Sequence, residues 1–160
     1  MSPQRMNRMK KLIFVCTGNT CRSPMAEGLL KHMIGSDYGW EISSAGICAA
    51  NGVTASPNAV EALREHGMKI SGHRSRHLTP ELIKEADLLV VMTGEHRNAI
   101  LAISPESAGK VFLLKSFGIP QSTLDIYDPV GEALDVYRRV RDEIDAALPD
   151  LILYMMEERN

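Results

Sequence analysis

The stretch KLIFVCTGNTCRSPMA, residues 11–26, joins a strand pattern to a helix pattern and decides the fold around it. The apolar run Leu12 to Val15 predicts a buried strand, and Pro24 is favoured at the first position of a helix. The polar segment from Cys16 to Ser23 is then a loop between the two. Such loops direct backbone N–H groups to one spot, where the helix dipole adds positive potential. The stretch therefore predicts an anion-binding loop.

Cys16 and Arg22 give this loop its predicted chemistry. The planar guanidinium of Arg22 suits two phosphoryl oxygens, and a positive field favours a thiolate at Cys16. We therefore expect a lowered pKa for Cys16, in the range of roughly 3.5–7.5 that activated cysteines show. Ser23 is placed to donate a hydrogen bond to the thiolate, and Gly18 to allow a tight turn. The pattern C-x5-R predicts a cysteine phosphatase loop, with an ordinary loop around a buried cysteine as the alternative.

Strand and helix patterns alternate along the rest of the chain. The predicted strands are 11–15, 40–44, 87–92 and 110–114, and the predicted helices are 24–34, 57–66, a short one opening at Thr79, 95–103 and 131–148. This alternation predicts an α/β fold, a doubly wound four-stranded parallel sheet with helices on both faces and a ligand site beyond the carboxyl ends of the strands. Pro149 is expected to break or kink the last helix. We expect a single domain at 10–160, after a loose tail at 1–9.

The composition argues against several classes of protein. With 160 residues, 44% of them hydrophobic and 24% charged, the chain matches one soluble globular domain. A net charge of −2 gives no electrostatic reason to bind nucleic acid or a membrane. Three cysteines do not suggest a secreted disulfide framework, so a reducing cytoplasm is expected. The cysteine and histidine spacings fit no metal site, no cofactor is implied, and a monomer is expected.

Residues 16–27, CTGNTCRSPMAE, resemble the signature of the low-molecular-weight protein tyrosine phosphatase family. The likeness is greatest to its branch of bacterial protein-arginine phosphatases and covers nearly the whole chain. It implies that Cys16 is the nucleophile, that Arg22 grips the phosphoryl group and that Asp128, in an Asp-Pro pair, donates a proton. It also implies that His73 braces the loop from outside, with a solvated loop histidine as the alternative. The residues implied to bind the phosphate are Thr17, Gly18, Asn19, Thr20, Cys21 and Ser23.

Thr20 and the residues after the Asp-Pro pair bear on the substrate. The arginine-phosphatase branch has threonine at the position of Thr20 and a small residue after Asp-Pro, whereas tyrosine-specific members have an aliphatic residue and aromatic residues there. This chain has Val130 and Gly131 after the pair, and no aromatic residue between Ile42 and Ala55. The resemblance therefore implies hydrolysis of phosphoarginine in protein substrates. Hydrolysis of phosphotyrosine is the nearest alternative.

Several questions stay open at the level of the sequence. Asp125 is the alternative proton donor to Asp128. Cys21 either forms a reversible disulfide with Cys16, protecting the thiolate, or packs as a buried cysteine. A phosphoryl-carrier or phosphoprotein-binding module is the alternative from another class, and an arsenate reductase is disfavoured because Cys48 is the only further cysteine. The histidines expected at the surface are His32, His66 and His96.

Overall fold

A parallel sheet forms the centre of the computed structural model, which describes residues 8–36 and 38–159. Its strands are β1 Lys10–Cys16, β2 Trp40–Gly46, β3 Leu88–Val91 and β4 Val111–Leu113. They lie in the order β2-β1-β3-β4 and all pair in parallel, which confirms the predicted four-stranded sheet. The loose tail predicted at 1–9 falls mainly on residues 1–7, which lie outside the described residues.

Helices cover both faces of this sheet, as predicted. They are α1 Arg22–Ile34, α2 Pro57–Arg64, α3 Pro80–Glu85, α4 Gly94–Ile103 and α5 Leu134–Arg159. Leu12 and Phe14 of β1 pack with the apolar side chains of α1, α2 and α5, and the alternate residues Ile13 and Val15 pack with those of α3 and α4. No helix in the described part of the chain is long and apolar enough to cross a membrane.

The central strands β1 and β3 are apolar on both faces, as buried parallel strands require. Phe14, Val15, Val90 and Val91 are each 0% exposed. Burying one such side chain stabilises the fold by about 1.5–3 kcal/mol. The chain leaves β1 toward α1 on one face and leaves β3 toward α4 on the other. The loops after β1 and β3 therefore meet at the switch point, where ligands bind in such sheets.

The last helix, α5, continues through Pro149, so of the predicted break or kink the break is wrong and the kink stays a prediction. Leu148, Leu151 and Met155 are each 0% exposed and lie on the face that joins the core. Their burial offsets the cost of about 3 kcal/mol or more that an internal proline imposes. The segment after Pro149 therefore packs on the body of the domain. The helix begins at Leu134, whereas the predicted start is Gly131.

Gly46, at the end of β2, allows the Cys16 loop to lie close against the sheet. A Cβ atom at Gly46 would lie 2.5 Å from the carbonyl oxygen of Thr17 and 3.0 Å from the backbone nitrogen of Asn19. The N–H of Cys48 donates to the same Thr17 oxygen at 2.9 Å. A side chain at Gly46 would therefore push the loop away from its support.

Candidate active site

The loop from Cys16 to Arg22 forms one wall of a small cleft at the carboxyl edge of the sheet. Cys16 is the last residue of β1, and Arg22 is the first of α1. The N–H groups of the residues between them donate to no backbone carbonyl in the described part of the chain, which leaves them as donors for an anion. The cleft has a volume of about 150 Å³. It is lined by Cys16, Thr17, Gly18, Thr20, Cys21, Arg22, Asp128 and Val130.

Gly18 does not adopt the left-handed backbone conformation that glycine allows most readily. Its φ is not positive, and a Cβ atom there would make only an ordinary contact with Oγ1 of Thr20 at 3.8 Å. The left-handed residue is its neighbour Asn19, whose φ is 57°. Asparagine visits this region more readily than most side chains, and local hydrogen bonds compensate for the strain.

Asn19 is fixed by three contacts behind the cleft. Its Nδ2 donates to Oγ of Ser23 at 2.7 Å, and its Oδ1 accepts from the backbone N–H of Arg76 at 2.9 Å. Nε2 of His73 lies 2.7 Å from the carbonyl oxygen of Asn19. The structure therefore places His73 against the loop, where the resemblance implies it; its influence on catalysis stays a prediction.

The sulfur of Cys16 lies at the bottom of the cleft, where the residue is only 2% exposed. This burial raises the pKa of Cys16, while the hydroxyl and N–H of Ser23, the charge of Arg22 and the N–H of Asn19 lower it. Oγ of Ser23 lies 2.9 Å from Sγ, the contact that the sequence predicts. The net shift is upward, contrary to the lowered pKa expected from the sequence, because the sequence does not reveal how completely the sulfur is buried.

We predict that Ser23→Ala raises the pKa of Cys16 further, because it removes the hydroxyl that stabilises the thiolate. The pH dependence of iodoacetamide alkylation, followed at Cys16 by mass spectrometry, gives the midpoint in both proteins. The exposed Cys48 provides an internal reference whose midpoint should not move. A Cys16 midpoint that stays the same or falls in Ser23→Ala would contradict this role of the hydroxyl.

The guanidinium of Arg22 is buried beside the cleft and held by three neighbours. Its Nη1 donates to the carbonyl oxygen of Ile126 at 2.9 Å. Its Nη2 lies 3.5 Å from Oγ1 of Thr17 and 3.5 Å from Oδ2 of Asp128. Its Nε is buried without a hydrogen-bond partner among the described residues. An unpaired buried donor costs free energy, and an oxygen of a bound phosphoryl group would supply the acceptor that this nitrogen lacks.

The segment 125–130 places the predicted proton donor at the cleft. Asp128 contacts Arg22, and its Oδ1 accepts from the N–H of Val130 at 3.1 Å. Asp125 is bound elsewhere, since its Oδ1 accepts from the N–H of Gly94 at the start of α4 at 2.9 Å. Asp125 does not line the cleft. Of the two carboxyl groups, that of Asp128 is therefore the one placed to reach a group bound at Cys16.

Cys21 lines the cleft, but its sulfur contacts side chains of other elements. Its Sγ lies 3.3 Å from Oη of Tyr137 and 3.5 Å from Oγ of Ser56. Burial and the contact with Cys21 raise the pKa of Tyr137 to about 12. Cys16 and Cys21 are both free thiols here, so the reversible disulfide between them stays a prediction.

His96 is a residue of this site that the sequence pattern did not indicate. It is 6% exposed, so the expected surface position is wrong for His96, although the other two histidines so predicted are exposed. Its Nε2 lies 2.8 Å from Oγ1 of Thr17. Burial and the charge of Arg22 lower the pKa of His96 to about 4. The sequence could have indicated this burial through the spacing of four residues between His96 and Ile100, which places both side chains on the buried face of α4.

A buried thiol, an arginine and a carboxyl group around an anion-binding loop, carried on a doubly wound sheet, define a cysteine-dependent phosphatase. Within residues 8–36 and 38–159, no group of three histidine, cysteine or acidic side chains is arranged to hold a metal ion. The chain belongs to the low molecular weight phosphotyrosine protein phosphatase family, which matches residues 11–160.

Similar proteins within this family include arginine phosphatases. A protein-arginine-phosphatase of Bacillus subtilis (strain 168) is 40% identical over 149 residues, which cover 92% of this chain and 98% of that protein. The solved arginine phosphatase from Geobacillus stearothermophilus has a TM-score of 0.85 at 39% identity, covering 94% of this chain and 95% of its own. A solved arginine phosphatase mutant with a phosphorylated active site serine has a TM-score of 0.84 at 40% identity, covering 93% and 97%.

Proposed function

We propose that this chain is a protein-arginine phosphatase, which hydrolyses phosphoarginine in proteins through a phosphocysteine intermediate. The observation that carries the proposal is the convergence of Cys16, Arg22 and Asp128 on one cleft whose walls include Thr20 and Val130. The arginine phosphatases to which the chain is similar support the choice of substrate. Phosphorylated proteins are then its partners, in a cytoplasm that keeps Cys16 reduced.

In the first step, the thiolate of Cys16 attacks phosphorus, so that a sulfur–phosphorus bond forms while the phosphorus–nitrogen bond breaks. The carboxyl proton of Asp128 moves to the departing nitrogen, which leaves as part of the arginine side chain. This transfer matters because the leaving nitrogen is strongly basic. Arg22 and the loop N–H groups hold the equatorial phosphoryl oxygens and their charge.

In the second step, the carboxylate of Asp128 accepts a proton from water while the water oxygen attacks phosphorus. The sulfur–phosphorus bond breaks, phosphate is released and Cys16 leaves as a thiolate. The hydroxyl of Ser23, 2.9 Å from the sulfur, stabilises this leaving group. Asp128 again carries the proton needed for the next cycle.

The walls of the cleft suit a slender guanidine arm better than a phenol ring. Val130 is 64% exposed at the rim, and Thr20 offers a hydroxyl and one methyl group. Tyr127 is exposed, but it lines a separate groove along α5 with Glu132 and Val136. Among the described residues, none of those that line the cleft is aromatic, so a phenol ring bound there has no ring to stack on.

Thr20→Ile should shift the selectivity from phosphoarginine toward phosphotyrosine. The substitution removes a hydroxyl from the wall of the cleft and adds apolar surface. A site that hydrogen-bonds its substrate loses discrimination when the partner is removed. We expect the ratio of kcat/KM for phosphoarginine and phosphotyrosine peptides of the same sequence to fall by about tenfold, the equivalent of one hydrogen bond.

Thr54→Ile is the matched control, since it makes the same change at an exposed residue outside the cleft. An active Thr20→Ile variant with an unchanged ratio would mean that Thr20 only packs the loop, and would remove this support for the arginine substrate. A higher kcat/KM for phosphotyrosine in the unaltered protein would favour the tyrosine phosphatase instead. Tight phosphate binding without turnover of either peptide would favour a phosphoprotein-binding module.

A further inference from the structure

His96 lies where the loops after β1 and β3 meet, and it touches the phosphate-binding loop from the side of α4. It is the third residue of α4, and its backbone N–H donates to Oγ1 of Thr93, which caps the helix. Its Nε2 lies 2.8 Å from Oγ1 of Thr17, the residue directly after the nucleophile. The cap and the burial hold the imidazole ring in one place, so the ring is a fixed support for the Thr17 side chain.

The Thr17 hydroxyl links His96 to Arg22. Its oxygen lies 3.5 Å from Nη2 of Arg22, and the same nitrogen lies 3.5 Å from Asp128. The opposite side of the guanidinium is held by the Ile126 carbonyl oxygen at 2.9 Å. Thr17 and Ile126 therefore fix the two ends of the fork that receives the phosphoryl oxygens. Without a fixed Thr17 hydroxyl, the Nη2 end of the fork keeps only the contact with Asp128.

The charge state of His96 fits a supporting role. Burial and the positive charge of Arg22 lower its pKa to about 4, so the ring is neutral at neutral pH. A neutral imidazole can hydrogen-bond to a hydroxyl without placing a second cation beside Arg22. Its Nδ1 is buried and has no hydrogen-bond partner, so among the described residues the ring makes one side-chain hydrogen bond, to Thr17.

We propose that His96 is a positioning residue for phosphate recognition, which orients the Thr17 hydroxyl and through it the guanidinium of Arg22. The inference rests on the proposed function only in that the Cys16 loop binds a phosphoryl group. It requires no particular substrate, and it assigns to His96 no contact with the reacting atoms.

The test is the affinity for inorganic phosphate, measured by isothermal titration calorimetry in a double-mutant cycle of His96→Leu and Thr17→Val. We expect His96→Leu to weaken phosphate binding by about five- to tenfold, the equivalent of one hydrogen bond. In the Thr17→Val background the same change should cost less than about twofold, because residues that act through one another are not additive. His96→Gln, whose amide nitrogen reaches a similar point, should restore most of the affinity.

His32→Leu, at an exposed histidine of α1, is the matched control and should leave phosphate affinity unchanged. Thermal unfolding checks that each variant is folded; if His96→Leu does not fold, His96→Gln and His96→Asn carry the comparison, since asparagine is too short to reach Thr17. Equal losses of affinity with and without Thr17→Val, or unchanged affinity in the variant that cannot reach Thr17, would overturn the inference. Because binding is measured without turnover, a failure of the proposed function would appear separately, as phosphate binding without hydrolysis of phosphoarginine.

Discussion

Replacing Cys16 by serine is expected to abolish phosphatase turnover while inorganic phosphate still binds. The serine hydroxyl is far less acidic than a thiol, so it is a weak nucleophile and a poor leaving group at neutral pH. The substitution is nearly isosteric, and the groups that hold the anion, the loop N–H groups and Arg22, remain. Turnover of phosphoarginine peptides gives the first readout, and calorimetric titration with phosphate gives the second.

Cys48→Ser is the matched control for this experiment. Cys48 is exposed and does not line the cleft, so the same chemical change there should leave kcat unchanged. Substantial residual turnover in Cys16→Ser would remove Cys16 from the proposed mechanism. If both phosphate binding and turnover are lost, the loop has collapsed instead, since the hydrogen bond between residue 16 and Ser23 helps to support it.

Asp128→Asn is expected to slow hydrolysis of phosphoarginine by about 10²–10⁴-fold, the usual contribution of a general acid. An amide cannot supply the proton that a basic leaving group needs. The acidic phenol of an activated aryl phosphate departs as a phenolate without protonation. The same variant should therefore lose much less activity on such substrates. The comparison of kcat/KM for the two classes of substrate measures the proton-donor role separately from the shape of the cleft.

Asp125→Asn tests the assignment against the neighbouring carboxyl group. Asp125 accepts a hydrogen bond from Gly94, and the amide oxygen of asparagine can keep that bond. Asp125→Asn should therefore lose little activity on either class of substrate. Equal losses for both classes in Asp128→Asn would mean that Asp128 shapes the cleft, and a leaving-group-dependent loss in Asp125→Asn would transfer the acid role to Asp125.

Most of the sheet was predictable because its central strands are nearly continuous apolar runs. A strand buried on both faces must be apolar at every position, as Leu12 to Val15 and Leu88 to Val91 are. The path of α5 was not predictable from Pro149, because the local cost of proline is independent of what the helix packs on. Only the assembled core shows that Leu151 and Met155 are completely buried.

The position of the loop and its anion-binding character were determined by the sequence alone. These properties follow from local order: a strand, a polar loop with Cys16 and Arg22 six residues apart, and a helix. The expected bracing by His73 and the expected proton-donor role of Asp128 came from the resemblance, and the structure brings both residues to the loop. Contacts between residues far apart in the chain carry no local pattern of their own.

The electrostatic balance at Cys16 and the place of His96 were decided only by the tertiary structure. The lowering contributions to the pKa of Cys16 are local and could be anticipated, whereas its burial depends on how the surrounding elements close over the sulfur. His96 is 79 residues away from Thr17 in the chain, and it meets the Thr17 hydroxyl because β1 and β3 are neighbours in the sheet. Burial and proximity are properties of the packed elements, so a linear pattern of residue types does not contain them.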